Sequence, residues 1–169
     1  MTTQAEMLFD AEMSAKYHRR RASFLERASA FMSFVILFGG AGAFASLFSD
    51  QTVFAKALTV LITLVGVIQI VFRTDSCAAQ HRQWLRNWNE MLSEIRSNIA
   101  ADQDTVAAWQ RRKYILESEC VGEMRALQED CYNRTMVSLR LEGSPTKITR
   151  WQRLWMQLCS FENSFQKTP

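Results

Sequence analysis

Proline is nearly missing from this chain, with two residues in 169, at positions 145 and 169. No stretch alternates polar and apolar residues in the manner of a half-buried strand. Helix is therefore the expected state of almost every segment, because proline breaks helices and a period of two marks strands. Histidine occurs only twice, as His18 and His81. A zinc site needs about four ligands, and no carboxylate or cysteine stands beside these two at metal spacing. The four cysteines, Cys77, Cys120, Cys131 and Cys159, contain no CxxC, and on a cytoplasmic side they would be reduced. There is no phosphate loop, nucleophile elbow or HExxH, and the carboxylates are scattered as helical surface charge. No enzyme, metal or cofactor is expected. A net charge of +3 and a pI near 8.8 fall well short of a dedicated nucleic-acid binder.

What the chain does have is segregated apolar residues, hidden by a mean hydropathy of −0.13. Residues 28–48, "ASAFMSFVILFGGAGAFASLF", carry no charge, nor do residues 57–72, "ALTVLITLVGVIQIVF". The second run extends upstream through Val53 and Phe54 around Lys56, which would snorkel to an interface. A helix needs about 20 such residues to cross about 30 Å of hydrocarbon. Because 27 polar, acid-containing residues precede the first run, a cleaved signal peptide does not fit. Two antiparallel spans, 28–48 and 53–72, joined by "SDQT", are expected. Lys16, Arg19, Arg20, Arg21 and Arg27 flank the first, and Arg73, Arg82 and Arg86 the second, while the connector holds Asp50 and no arginine. Positive charge marks the cytoplasmic side, so both termini are expected there.

The polar parts divide into an N-terminal helix (1–27), a bundle (73–142) and an amphipathic C-terminal segment (143–169). His81, Leu85, Trp88, Leu92, Ile95 and Ile99 recur in a heptad, as do Leu8, Ala11, Ala15, His18, Ala22 and Leu25. If antiparallel partners sum to roughly 100 in number, His18 meets His81, Ala15 meets Trp84 and Ala11 meets Trp88, small against bulky. The spans would then continue as a cytoplasmic stalk. A helix over 105–141, capped by Asp102 or Asp104, would place Trp109, Leu116, Cys120, Leu127 and Cys131 on one face until "EGSPT" ends it. "NRT" at 133–135 matches a glycosylation sequon but lies within this helix, on the wrong side of the membrane. In "KITRWQRLWMQLCSF", Ile148, Trp151, Leu154, Trp155 and Leu158 share one side, with Lys147, Arg150 and Arg153 near its start. That pattern suits a helix on anionic lipid or one closing the bundle.

Three groups of residues are candidates for function. His18 and His81, with Leu85 and Trp88, form the stalk seam, where the histidines either pack or sense protons. In the first span Gly39, Gly42, Ala43 and Ser46 are spaced for close helix contact. In the second, Lys56, Thr59, Thr63 and Gly66 share a broad face with Gln69 at its edge, which either packs within the hairpin or lines a pore formed by several hairpins. Arg19, Arg20, Arg21 and Arg73 set the topology.

"AKYHRRRASFLERASAF" before the first span and "AAQHRQWLRNWNEMLSEI" after the second resemble the SLATT family of bacterial two-transmembrane proteins. The resemblance rests on Tyr17, His18 and the arginines, and on His81, Leu85 and Trp88, and covers about residues 11–100. It implies an all-α membrane protein with a transmembrane hairpin continued into a cytoplasmic helical bundle, homo-oligomeric in the bacterial inner membrane. It also implies a pore-forming or membrane-disrupting effector of antiviral defence, triggered through a separate sensor or signalling partner. The alternative is a non-conducting anchor or scaffold whose bundle recruits a partner protein. Besides the lipid bilayer and these proteins no partner is expected, nucleic acid least of all.

Overall fold

The computed structural model describes residues 3–46, 52–120, 124–141, 143 and 145–161. Among the described residues there is no strand. Six helices follow one another: α1 (Gln4–Ser46), α2 (Thr52–Phe72), α3 (Thr74–Ser97), α4 (Gln103–Glu119), α5 (Arg125–Ser138) and α6 (Arg150–Trp155). α1 carries no proline anywhere and no glycine before Gly39, so nothing in its sequence interrupts the hydrogen-bond ladder. α2 stops where Arg73 takes a left-handed backbone at φ 45°, a conformation a side chain with a Cβ adopts at a cost. The connector "SDQT" lies outside the described residues up to Gln51, and Thr52 opens α2.

The chain forms two compact units, one from residues 1–21 and 81–169, the other from residues 22–80. The first is a helical bundle. Its larger core gathers Met7, Ala11 and Ala15 of α1, Trp84, Trp88, Met91, Leu92 and Ile95 of α3, and Trp109 and Leu116 of α4. Alanines from one helix thus share a core with tryptophans from another, the volume matching that lets two helices approach. A smaller core joins Tyr17, Ala126, Leu127, Cys131 and Met156. Polar ties surround these cores. Arg112 of α4 reaches Glu94 at 2.7 Å and Glu90 at 3.1 Å on α3, and Lys113 pairs with Asp10.

Within the bundle the heptad reading needs three corrections. Ile99, expected on the seam, is 97% exposed because α3 ends at Ser97. The single helix expected over 105–141 is two: Cys120 is extended beyond α4, α5 begins at Arg125, and residues 121–123 lie outside the described set. Trp109 and Leu116 consequently serve the larger core, while Leu127 and Cys131 serve the smaller one. The second helix also ends before "EGSPT". Leu139 caps it and Arg140 turns left-handed at φ 52°. Asp102, rather than Asp104, caps α4 by accepting from the Thr105 N–H at 2.9 Å. Asn133 of "NRT" sits inside α5, exchanging hydrogen bonds with the Thr146 backbone.

The second unit is an antiparallel hairpin of apolar helices. Its inner seam runs through Ala22, Leu25 and Ser29 of α1 and Ala55 of α2, all buried. Gln69 Nε2 donates to Ser33 Oγ at 3.2 Å. Around that seam the surface is apolar. Phe31, Phe34, Leu37, Phe38, Val60, Leu61, Leu64, Val67, Ile70 and Val71 are all exposed. Two segments, Gln4–Gly42 and Val53–Ser97, are long and apolar enough to cross a membrane, and no residue in the most apolar stretch of the second is buried. Contiguous exposed apolar surface on this scale is rare on a soluble protein.

Candidate functional site

In the bundle, Nδ1 of His18 lies 2.9 Å from Nδ1 of His81. α1 presents His18 one turn beyond Ala15, and α3 presents His81 one turn before Leu85, so the helical repeat alone puts each on its seam. His18 is 4% exposed, and the Trp84 ring packs against both imidazoles with centroids 5.3 and 5.2 Å away. The Tyr17 ring stands edge-on to His18 at 5.3 Å, and its hydroxyl accepts from the Met124 N–H at 3.1 Å. Burial pushes His18 down to about 3, and the neighbouring His81 adds to this. Burial likewise pushes His81 down to about 4, helped by the Arg21 guanidinium. Both rings are therefore neutral at physiological pH. The pair is a hydrogen bond between two neutral imidazoles of opposite tautomer, one donating and one accepting.

Beside His18 lies a cavity of roughly 50 Å³ whose walls include Ser14, Tyr17, Trp88, Glu117 and Cys120. That volume suits a few water molecules rather than a cofactor. Among the described residues no group of three histidine, cysteine or carboxylate side chains is arranged to hold a metal ion. Leu85 is half-buried at the edge of the larger core and Trp88 lies at its centre.

The arginines expected at the lipid surface divide. Arg19 and Arg73 are exposed. Arg20 instead pairs with Asp130 of α5, and Arg21 donates to the Gln157 carbonyl just past α6. Asp130 is buried and also accepts from Arg134 at 2.7 Å. Its burial would raise the carboxyl pKa, but the hydrogen bonds from Arg134 and Arg20 outweigh this and hold it below the usual carboxylate range. Sequence reasoning missed Asp130 altogether, since a lone acid in a polar helix carries no signal of the arginine it will meet.

In the hairpin, the glycines and the polar stripe separate by face. A Cβ on Gly39 would stand 2.8 Å from Ile62 Cγ1, and one on Gly42 3.2 Å from Leu58 Cδ2. Both glycines thus serve close approach of α2 to α1. Gly40 and Gly66 have open space where a Cβ would point. Ala43 and Ser46 fall within α1, but their side chains are outside the described set. Gln69 is turned inward to Ser33, whereas Lys56, Thr59 and Thr63 are exposed on one flank of α2. The Thr59 hydroxyl donates to the Ala55 carbonyl at 2.9 Å and that of Thr63 to the Thr59 carbonyl at 2.9 Å. Of the five residues, Gln69, expected at the edge of the face, thus bonds to α1, while Lys56, Thr59 and Thr63 stay exposed.

In the C-terminal segment α6 spans only six residues, and a capping box between Thr149 and Gln152 fixes its start. Of the two readings of its apolar side, packing into the bundle is not what the leucines do: Met156 enters the smaller core, and Trp151, Leu154 and Leu158 are exposed. The four cysteines are unbridged, with Cys131 buried and Cys159 exposed.

These features define an all-helical protein with two helices of membrane-spanning length and composition. No protein-family model, no curated protein and no solved structure matches the chain.

Proposed function

We propose that this chain is a membrane effector of a bacterial antiviral conflict system, which assembles as a homo-oligomer and permeabilises the inner membrane when triggered. The observation that carries the reading is the exposed flank of Lys56, Thr59 and Thr63 on an otherwise apolar hairpin. Two helices enclose no water path. Although Lys56 can snorkel from the end of its span, its stem and the Thr59 and Thr63 hydroxyls still set a polar flank against lipid at some cost. A ring of hairpins turning this flank to a shared axis removes that cost and creates a polar lining. The resemblance of the His18 and His81 flanks to the SLATT family points the same way, with both termini cytoplasmic and the trigger supplied by another protein or small molecule. Expression of the full chain in a bacterium carrying a potential-sensitive dye tests it. Depolarisation on triggered or toxic expression, abolished by Thr63→Leu with protein level unchanged, is the expected result. An unchanged potential while cells arrest overturns it.

A second reading, a non-conducting anchor whose bundle recruits a partner, is favoured by one observation. Because the Thr59 and Thr63 hydroxyls bond to carbonyls of their own helix, they need no water. On that reading Thr63→Leu is silent, and function depends on the bundle surface between residues 105 and 165.

A further inference from the structure

We propose that Trp151, Leu154 and Leu158, together with Lys147, Arg150 and Arg153, form a docking surface for anionic phospholipid headgroups. The inference rests on the membrane reading above. It begins from the way the C-terminal segment is held. Met156 is buried in the smaller core, Arg21 clamps the Gln157 carbonyl, and the capping box orients α6. The segment is thereby anchored from one side, leaving Trp151 64%, Leu154 69% and Leu158 59% exposed. These are large side chains displayed by a fixed element, not by a loose tail.

Charge decides what fits them. Lys147, Arg150 and Arg153 are exposed, and no ion pair among the described residues uses any of the three. Arg112 and Arg125, by contrast, each hold a glutamate. The surface thus combines apolar side chains with uncompensated positive charge. A second copy docking through the same face about a two-fold axis would set three cations against three. A layer of phosphate headgroups over acyl chains matches both halves. Indole rings settle at headgroup depth, leucines reach the acyl boundary, and cations remain among the phosphates. The clamping residue Arg21 belongs to the basic run that precedes the apolar stretch of α1 in sequence.

The test uses the full chain in nanodiscs of phosphatidylcholine alone or mixed with phosphatidylglycerol, with lipids brominated near the headgroup end of the acyl chain as quenchers. The Trp151 contribution is the difference between wild type and Trp151→Phe, and a Phe34→Trp variant reports on the hairpin. We expect Trp151 to be quenched in the anionic discs and much less in the neutral ones. High salt should release it without any mutation. Each cation near an anionic surface is worth about fivefold in partitioning, so the triple variant K147A/R150A/R153A should lose the Trp151 signal while the Phe34→Trp signal persists. Quenching at Phe34→Trp with none at Trp151, or quenching of Trp151 indifferent to lipid charge, overturns the proposal alone. Disulfide capture of Leu154→Cys by a second copy would also overturn it. Loss of quenching at both sites overturns the membrane reading with it.

Discussion

Nδ1 of His18 stands 2.9 Å from Nδ1 of His81, so one of these two rings must donate the hydrogen that the other accepts. The relationship holds α1 to α3 within the bundle and depends on neither ring carrying charge. Doubly protonated, the pair would place two cations in contact with the Trp84 indole and near the Arg21 guanidinium.

Acid should therefore loosen the bundle. Unfolded, each histidine titrates near 6.5, whereas folded they titrate at about 3 and about 4. Below 6.5 the unfolded chain binds more protons than the folded one, so stability is full above that pH and falls as pH drops towards the folded values. Melting of the detergent-solubilised chain, followed by circular dichroism, should show a midpoint that is flat above about pH 7 and declines from about 6.5 down towards about 4 and about 3, where the folded rings take up their own protons. The double variant H18F/H81F should flatten that decline.

The alanine at position 11 should resist enlargement. Ala11 is wholly buried in a core that contains Trp88. Ala11→Leu adds volume to a packed seam and should destabilise the bundle by about 1–3 kcal/mol. Ala5→Leu, on an exposed position of the same helix, should stay within about 0.5 kcal/mol. Thermal midpoints of the two variants compare them directly.

Asp130→Ala should loosen α5 against α1. It removes the carboxylate that Arg20 and Arg134 share and leaves Arg20, whose side chain is 26% exposed, without its partner. A fully buried orphan costs about 3–5 kcal/mol, and the partial exposure of Arg20 reduces this to about 1–3 kcal/mol. Hydrogen exchange should accelerate over residues 125–138 before the helices of the larger core respond.

Gly39 and Gly40 should behave oppositely although they are neighbours. Spin labels at Ser33→Cys and Gln69→Cys, positions whose native side chains meet at 3.2 Å, report the separation of α1 and α2 by electron spin resonance. Gly39→Leu, which drives a side chain into Ile62, should lengthen and broaden that separation. Gly40→Ala, with open space at its Cβ, should leave it unchanged.

The helical class, the two apolar segments and the meeting of His18 with His81 were legible in the residues themselves. Periodicity records which side chains share a face, and small alanines opposite tryptophans record which faces meet. The break between α4 and α5 was not legible, because Cys120 continues an apolar period right up to the point where the backbone leaves the helix. The division of Lys56, Thr59 and Thr63 from Gln69 was hidden for a related reason. One broad helical face can be cut by a neighbour's edge, and that edge lies wherever Ile62 and Leu58 meet the glycines of α1.

By itself the sequence determined the composition of each helix, the length of the two apolar runs and the small-to-large pairing of the bundle seam. These follow from local geometry, the 3.6-residue turn and the volume of single side chains. Only the tertiary structure decided that Arg20 and Arg21 clamp α5 and the segment after α6, that His18 is buried and His81 half-buried with both rings neutral, and that Trp151, Leu154 and Leu158 remain outside the core. Arg20 and Arg21 find partners more than a hundred positions away, and no local pattern encodes such pairings or the depth at which a side chain is buried.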